Sequence, residues 1–92
     1  MASSIDAFFS KLRKWKKSKT VLKVTVLTVG KESHVRRGVI FSVDEANFQV
    51  GLIEPGSKRG VAFDVSGARF LVGIKSAEAS RRDGDLLVFQ EE

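Results

Sequence analysis

The strongest constraint on the fold of this chain is a pair of β-rich segments separated by a short polar turn. Residues 39–43 and 48–53 are dominated by Val, Ile and Phe, which suit a pleated, half-buried surface. Asp44 to Asn47 lie between them, and Asp and Asn favour turns because their side chains bond local backbone N–H groups. Gly38 stands at the entry, where a strand bend or a close backbone approach needs no Cβ. The stretch therefore predicts a β-hairpin, with Gly38 and Asp44 structuring its bend and its loop.

An amphipathic helix is predicted before the hairpin, over residues 4–17. Ser3 and Asp6 have the spacing of a capping box, with Asp in place of the usual Glu. The apolar residues that follow share one helical face; they are Ile5, Phe8, Phe9, Leu12 and Trp15. We expect this apolar stripe to cover one end of a β-structure rather than to enter a membrane.

Five short strands are predicted after the helix, with polar or Gly-containing turns between them. Their ranges are 21–29, 35–43, 48–53, 61–64 and 69–75. The sequence thus predicts a mainly β domain over residues 1–75, in which the helix precedes a five-stranded, strongly bent antiparallel small barrel at 21–75. Residues 76–92 are predicted to be a C-terminal extension. They can form an extra edge strand, pack on a neighbouring chain or be partly disordered.

The composition excludes several classes of site. The chain has 92 residues, the size of one domain, and it contains no Cys and a single His, His34. Thiolate zinc sites and histidine metal clusters are therefore excluded within one chain. No Gly-rich phosphate loop leads into a predicted helix, and the one His lies in a polar turn, a poor position for a triad base. We expect no enzyme, no cofactor and no metal ion.

The sequence also indicates where the protein resides. No apolar run is long enough to span a bilayer, and no signal-peptide core is present. The absence of Cys is compatible with a reducing cytoplasm, where we place the chain. Attachment to a membrane surface through the basic amphipathic helix is the alternative that we rank last.

The positive charge is concentrated in the first 24 residues. The whole chain has a net charge of +5, but residues 1–24 carry seven Lys and Arg side chains against one Asp, a net charge of +6. Residues 25–92 carry nine basic and ten acidic side chains, a net charge of −1. An excess of this size over a short segment favours an anionic partner. A merely solvated helix surface is the alternative that the charge leaves open.

The hairpin and its surroundings resemble an Sm-like domain, the fold of Sm and LSm proteins and of the bacterial Sm-like RNA chaperone. The resemblance covers residues 21–75, roughly 55 of the 92 residues. It depends on a strand that ends in Gly, a Gly–x–hydrophobic step into an Asp, and an Asn before the next strand. The residues that carry it are Gly30, Gly38, Ile40, Asp44, Asn47, Phe48 and Val50. Other small barrels, including the C-terminal barrel of ribosome maturation factors, share the pattern.

The resemblance implies a homo-oligomeric ring in which the fourth and fifth strands pair between subunits. It also implies that single-stranded RNA binds near the turn after the second strand, where Asn47 would read a base. In this family, a side chain just before the Asn stacks on the base, and an Arg from a second signature completes the pocket.

This sequence departs from the family pattern in three places. The spacing from Asp44 to Asn47 is one residue shorter than usual. Glu45 and Ala46 offer no aromatic or His side chain for stacking, and the second signature, at 71–73, reads Leu-Val-Gly and lacks the Arg. Because stacking supplies about 1–3 kcal/mol per base, we expect weak binding with little base preference.

We therefore predict an Sm-like module that forms a homo-oligomeric ring and binds single-stranded RNA mainly through the basic helix. The predicted RNA-binding residues are Lys11, Arg13, Lys14, Lys16, Lys17, Arg37 and Asn47. Two simpler interpretations stay open. Asp44 and Asn47 can be turn-forming residues without a ligand, and the chain can be a structural or protein-interaction barrel with no role in nucleic-acid binding.

Overall fold

The computed structural model describes residues 5–67 and 69–92, which form one helix and seven strands. The helix, α1, spans Ile5–Ser18, within one residue of its predicted bounds. The predicted cap at Ser3 lies outside the described residues. The strands are β1 (Leu22–Leu27), β2 (His34–Asp44), β3 (Gln49–Ile53), β4 (Gly60–Asp64), β5 (Arg69–Val72), β6 (Ser76–Ser80) and β7 (Leu86–Glu91).

All seven strands belong to one antiparallel sheet in the order β4-β3-β2-β1-β7-β6-β5. Strands β4 and β5 are its two edges, so among the described residues the sheet is unclosed. The predicted mainly β class with an N-terminal helix is confirmed. The predicted number of five strands is wrong, and the structure has an open, seven-stranded sheet in place of the expected five-stranded barrel.

The two additional strands come from residues 76–92, which the sequence predicted to be an extension. Strand β7 pairs with β1 over its whole length and with β6 on its other side, so it lies inside the sheet and not at an edge. Ala77 and Ala79 of β6 are fully buried and alternate with polar residues. The sequence signal for β6 was weak because Ala is depleted in strands. The sheet therefore continues across the predicted boundary at residue 75.

The sheet curls around its core. The ring centroids of Phe63 on β4 and Phe89 on β7 are 6.2 Å apart, although four strand-to-strand steps separate β4 from β7 in the sheet. In a flat sheet these strands would be separated by about 19 Å, because neighbouring strands lie ~4.8 Å apart. The curvature thus brings side chains from the two halves of the sheet into contact.

Strand β2 changes its pairing partner at Gly38. Strand β2 pairs with β1 up to Gly38 and with β3 from Val39 onward. A Cβ on Gly38 would lie 2.3 Å from the carbonyl oxygen of Ile53, closer than any van der Waals contact allows. Glycine is therefore required at this corner, where one strand passes between the two halves of the sheet.

The apolar stripe of α1 packs into the concave face of the curled sheet. Its four almost fully buried residues are Phe8, Phe9, Leu12 and Trp15. The ring centroid of Phe8 lies 5.0 Å from that of Phe70 and 6.0 Å from that of Phe89. The helix lies against β2 on one side and against β5 and β6 on the other. Because burying one such side chain stabilises a fold by about 1.5–3 kcal/mol, α1 is part of the core.

Candidate nucleic-acid interface

The basic residues of α1 form two groups because the helix lies in a concave sheet. Successive helical residues are rotated by about 100°, so Lys11 and Arg13 fall on opposite flanks of the buried stripe. These two are the flank pair. In the second group, Lys14 and Lys17 lie on the side facing away from the buried stripe, and Lys16 and Lys19 lie at and just beyond the C-terminal end of the helix. Its four members, the lysine ridge, are all exposed: Lys14, Lys16, Lys17 and Lys19.

On one flank, Lys11 connects the helix to the loop between β5 and β6. Its Nζ donates a hydrogen bond of 2.5 Å to the carbonyl oxygen of Ile74. The same Nζ lies 5.3 Å from the ring centroid of Trp15, within the range of a cation–π contact. Lys11 therefore contributes to the attachment of the helix, and its ammonium group is already engaged within the fold.

On the other flank, Arg13 connects the helix to the turn between β2 and β3. Its Nη1 donates to Oε1 of Glu45, and the two side chains form an ion pair. Both side chains are about half exposed, so solvent screens the pair. Glu45 lies just before Asn47, where the Sm-like resemblance would place a stacking side chain, and here it contacts the helix instead.

The lysine ridge carries charge that the fold does not use. Within the part of the chain that the structure describes, none of its four side chains forms an ion pair or a hydrogen bond. The one acidic residue of α1, Asp6, lies in the first turn, at the other end of the helix. Cations near a helix C-terminus are also favoured by the helix dipole, which accounts for Lys16 and Lys17 in part without a ligand.

The turn between β2 and β3 is held by Asp44 and Asn47. Oδ1 of Asp44 accepts a 3.2 Å hydrogen bond from the Asn47 backbone N–H, and Oδ2 accepts a 2.8 Å bond from Nδ2 of Asn47. The Asn47 side chain, followed by its backbone, holds the pKa of Asp44 below its ordinary value. One N–H of the amide group that the resemblance assigns to base reading is thus used within the turn.

Arg37 lies apart from that turn. It belongs to the first half of β2, in register with Lys23 of β1, whereas Asn47 follows the end of the strand. Nε of Arg37 lies 2.6 Å from a carboxylate oxygen of Glu92. The structure therefore does not bring Arg37 and Asn47 together. Lys23 alternates with buried Leu22 and Val24, so Lys23 and its partner Arg37 lie on the face of the sheet opposite the helix.

Two surface cavities are lined by arginines, and among the described residues all of these except Arg82 form ion pairs. The first, of about 530 Å³, is lined by His34, Val35, Arg36, Arg37, Glu54 and Pro55. Arg36 lies 3.4 Å from the Glu54 carboxylate there. In the second, of about 430 Å³, Arg81 lies 3.8 Å from Asp64 and 3.3 Å from Asp83. Because carboxylates offset these guanidinium charges, the lysine ridge is the stronger candidate for an anion.

No family model matches the chain, and no curated protein and no solved structure matches it significantly. The Sm-like resemblance therefore stays a prediction from the residues. Among the described residues, no group of three or more His, Asp or Glu side chains could hold a metal ion. The same residues include no helix with the length and apolarity needed to cross a membrane.

Two exposed residues were missed by the sequence-based prediction of site residues. Lys19 extends the ridge past the end of α1, and the lysine run that begins at Lys16 is the signal that could have included it. Phe41 on β2 is 50% exposed although it belongs to an apolar run. Its position next to buried Ile40 places it on the opposite face of the strand.

Proposed function

We propose that this chain binds single-stranded RNA through the lysine ridge, weakly and with little base preference. The observation that carries the proposal is the contrast between the two groups of cations on α1. The flank pair is engaged within the fold, whereas the ridge presents four exposed ammonium groups that have no carboxylate partner among residues 5–67 and 69–92. Lys contacts phosphate as a point charge, and phosphate contacts position a nucleic acid without reading its sequence.

The surroundings of the ridge support weak base preference. Affinity for single strands depends on aromatic side chains on which bases stack. The three aromatic residues of α1, namely Phe8, Phe9 and Trp15, are at most 3% exposed. Asn47, the expected base reader, bonds Asp44. Binding at the ridge thus depends on charge alone.

The proposal is tested by the salt dependence of binding. On a single strand, each neutralised phosphate contributes about −0.7 to the slope of log K against log salt concentration. If each of the four ridge lysines contacts one phosphate, the ridge contributes about −3 to this slope. Replacing two of them, Lys14→Gln with Lys17→Gln, should reduce the magnitude of the slope by about 1.4. Fluorescence anisotropy of a labelled mixed-sequence RNA, measured over a salt series, gives both values.

A matched control removes the same charge elsewhere. The double variant Lys31→Gln with Arg82→Gln changes two exposed cations in other turns of the molecule. We expect this variant to keep the slope of the unmodified protein. Equal effects of the two double variants would show that only net charge matters, and undetectable binding of RNA at low salt would refute the proposal. In the latter case, a structural or protein-interaction module becomes the better interpretation.

We also propose that the chain assembles with itself through its two sheet edges. Unpaired edge strands offer rows of N–H and C=O groups to another chain. The edges here are β4 and β5, the strands that the Sm-like resemblance assigns to subunit contacts. Leu71 on β5 is 44% exposed, which adds apolar surface beside one edge.

Self-assembly is tested by a charge placed on the edge. Leu71→Lys should shift the mass measured by sedimentation equilibrium toward the monomer, because a charged edge strand opposes pairing. Leu27→Lys is the matched control, because Leu27 is 41% exposed but belongs to β1, which is paired on both sides. A monomeric unmodified protein at high concentration would rule out the assembly.

Membrane attachment through the apolar face of α1 is not supported by the packing. Phe8, Leu12 and the other stripe residues already contact the sheet. Insertion of that face into a lipid surface would require the helix to leave the core. Any sedimentation of the protein with anionic vesicles should therefore come from the exposed lysines alone and disappear at high salt.

A further inference from the structure

A half-exposed aromatic ring lies on the outer face of the sheet, opposite the helix. Phe41 is located where the pairing of β2 with β3 shifts register, between Ile40 and Ser42. Its ring extends over β3 and β4. A Cβ on Gly51 would lie 2.7 Å from the ring, and a Cβ on Gly60 would lie 2.8 Å from it. The two glycines therefore allow the ring to lie directly against the backbone of both strands.

The residues beneath the ring on this face are small or short. Gly51 pairs with Ser42 on one side and with Ala62 on the other, and Gly60 is the first residue of β4. Leu52 is buried on the opposite face, whereas Ile53, which pairs with Val39 and with Gly60, lies on the same face as Gly51 and is partly buried. Half of the surface of Phe41 is accessible, so a second flat ring can approach its exposed side.

Cations border the same place. Lys58 and Arg59 immediately precede Gly60, and both are exposed. The hydroxyl of Ser57 accepts a 3.0 Å hydrogen bond from the Arg59 backbone N–H, which orders this segment. The acidic residue at the start of the same connection, Glu54, lies 3.4 Å from Arg36, so its charge is already matched. An aromatic surface with adjacent cations is the arrangement by which proteins hold single-stranded nucleic acid.

We infer that Phe41 is a stacking site for one base of the bound RNA, with Lys58 and Arg59 contacting the phosphates beside that base. The inference rests on the proposed RNA binding and adds a second subsite to it. This subsite differs from the one that the Sm-like resemblance implies, because it lies on the outer face of the sheet and not in the turn at Asn47. Stacking on Phe accepts any base, so it adds affinity without sequence preference.

The test compares two labelled strands of roughly twelve nucleotides, which is within the site sizes of small single-strand-binding barrels. One is oligouridine and the other has the same backbone without bases. We expect the unmodified protein to bind oligouridine at least about fivefold more tightly, the lower end of what one stacked base contributes. Phe41→Leu keeps an apolar cover over the glycines but removes the flat ring, so it should abolish this preference and leave binding of the abasic strand unchanged. Phe41→Tyr should preserve it.

A second readout does not depend on the stability of the Leu variant. In Phe41→Trp, oligouridine should quench the new tryptophan emission and the abasic strand should not, after subtraction of the emission of buried Trp15 measured in the unmodified protein. Unchanged preference in Phe41→Leu, or equal affinity of the unmodified protein for both strands, would overturn the stacking site alone. A change in sedimentation mass in Phe41→Leu would also overturn it, since the ring would then contact a second copy of the chain. If neither strand binds at low salt, the proposed RNA binding itself is wrong.

Discussion

The apolar stripe and the lysine ridge are two surfaces of the same helix, and they differ in their contribution to the fold. Four of the five stripe residues are at most 3% exposed, and the helix contacts β-strands from both halves of the sheet. The ridge residues are exposed and make no side-chain hydrogen bond or ion pair within the described chain. Substitutions at such surface positions usually change stability by no more than about 0.5 kcal/mol.

Because of this difference, substitutions on α1 can affect stability and RNA binding separately. A substitution in the stripe should lower the free energy of unfolding, and any loss of RNA binding would then follow from unfolding. A substitution in the ridge should change RNA binding without changing the fold. The flank pair lies between these extremes, because Lys11 and Arg13 contact neighbouring segments but remain partly accessible.

The largest expected change in the free energy of unfolding comes from a substitution at the centre of the stripe. Phe8→Ala should lower the free energy of unfolding by about 3–5 kcal/mol, because it removes the ring contacts with Phe70 and Phe89 and leaves a cavity. Urea denaturation followed by the fluorescence of Trp15, the single tryptophan, measures this change. Lys14→Ala is the control from the exposed surface of the same helix, with an expected change within about 0.5 kcal/mol. Similar losses in both variants would contradict the separation of the two surfaces.

The same contrast explains how much of the structure the sequence could predict. The stripe was predictable because its apolar residues recur at helical spacing, and four of its five members are almost fully buried. The first five strands were found because Val, Ile and Phe dominate them. Strand β6 was missed because the alternation of Ala77 and Ala79 with Ser and Glu resembles a polar loop, although both alanines are buried.

The sequence could not predict which cations of the candidate site are paired or which aromatic ring is exposed, because both depend on contacts between residues that are distant in the chain. Charge patterning identified a basic helix, but it could not distinguish Arg13, paired with a residue 32 positions away, from unpaired Lys14. The exposure of Phe41 likewise depends on glycines in two other strands. Local patterns specify which surface of an element is apolar, whereas the partners of polar groups are set by the tertiary fold.

The flank contact between α1 and the turn between β2 and β3 should contribute less to the free energy of unfolding. Because Arg13 and Glu45 are both about half exposed, their coupling should be in the range of exposed pairs, about 0.2–1 kcal/mol. A double-mutant cycle with Arg13→Ala, Glu45→Ala and the combined variant isolates this energy by urea denaturation. Lys16 offers a comparison, since Lys16→Ala combined with Glu45→Ala should show no coupling. A coupling above about 2 kcal/mol would mean that this flank is as important for stability as a core contact.

The smallest expected contribution to stability comes from the Asp44 carboxylate in the turn between β2 and β3. Its pKa is lower in the folded than in the unfolded state, so its carboxylate stabilises the fold above the unfolded pKa of about 3.9. This contribution is lost as the pH falls through the lower folded pKa. Asn47→Ala removes the main cause, the side-chain hydrogen bond, and should raise the pKa of Asp44 toward its ordinary value in an NMR titration. Asp64, whose pKa is lowered mainly by Ser66, is the internal control and should not change.

The same titration distinguishes a turn-forming Asn47 from one that reads RNA. If RNA binds only at the ridge and at Phe41, the pKa of Asp44 should be the same with and without saturating RNA, since the Asn47 amide stays on the carboxylate. If a base displaces that amide, the hydrogen bond to Asp44 is lost and the pKa of Asp44 rises, a change that Asn47→Ala cannot show. If a base instead pairs with the carbonyl oxygen and the second N–H of the amide, the bond to Asp44 stays and the NMR signals of the Asn47 side-chain amide shift. Either change on addition of RNA to the unmodified protein would place base recognition in the turn and contradict the assignment of binding to charge and stacking elsewhere.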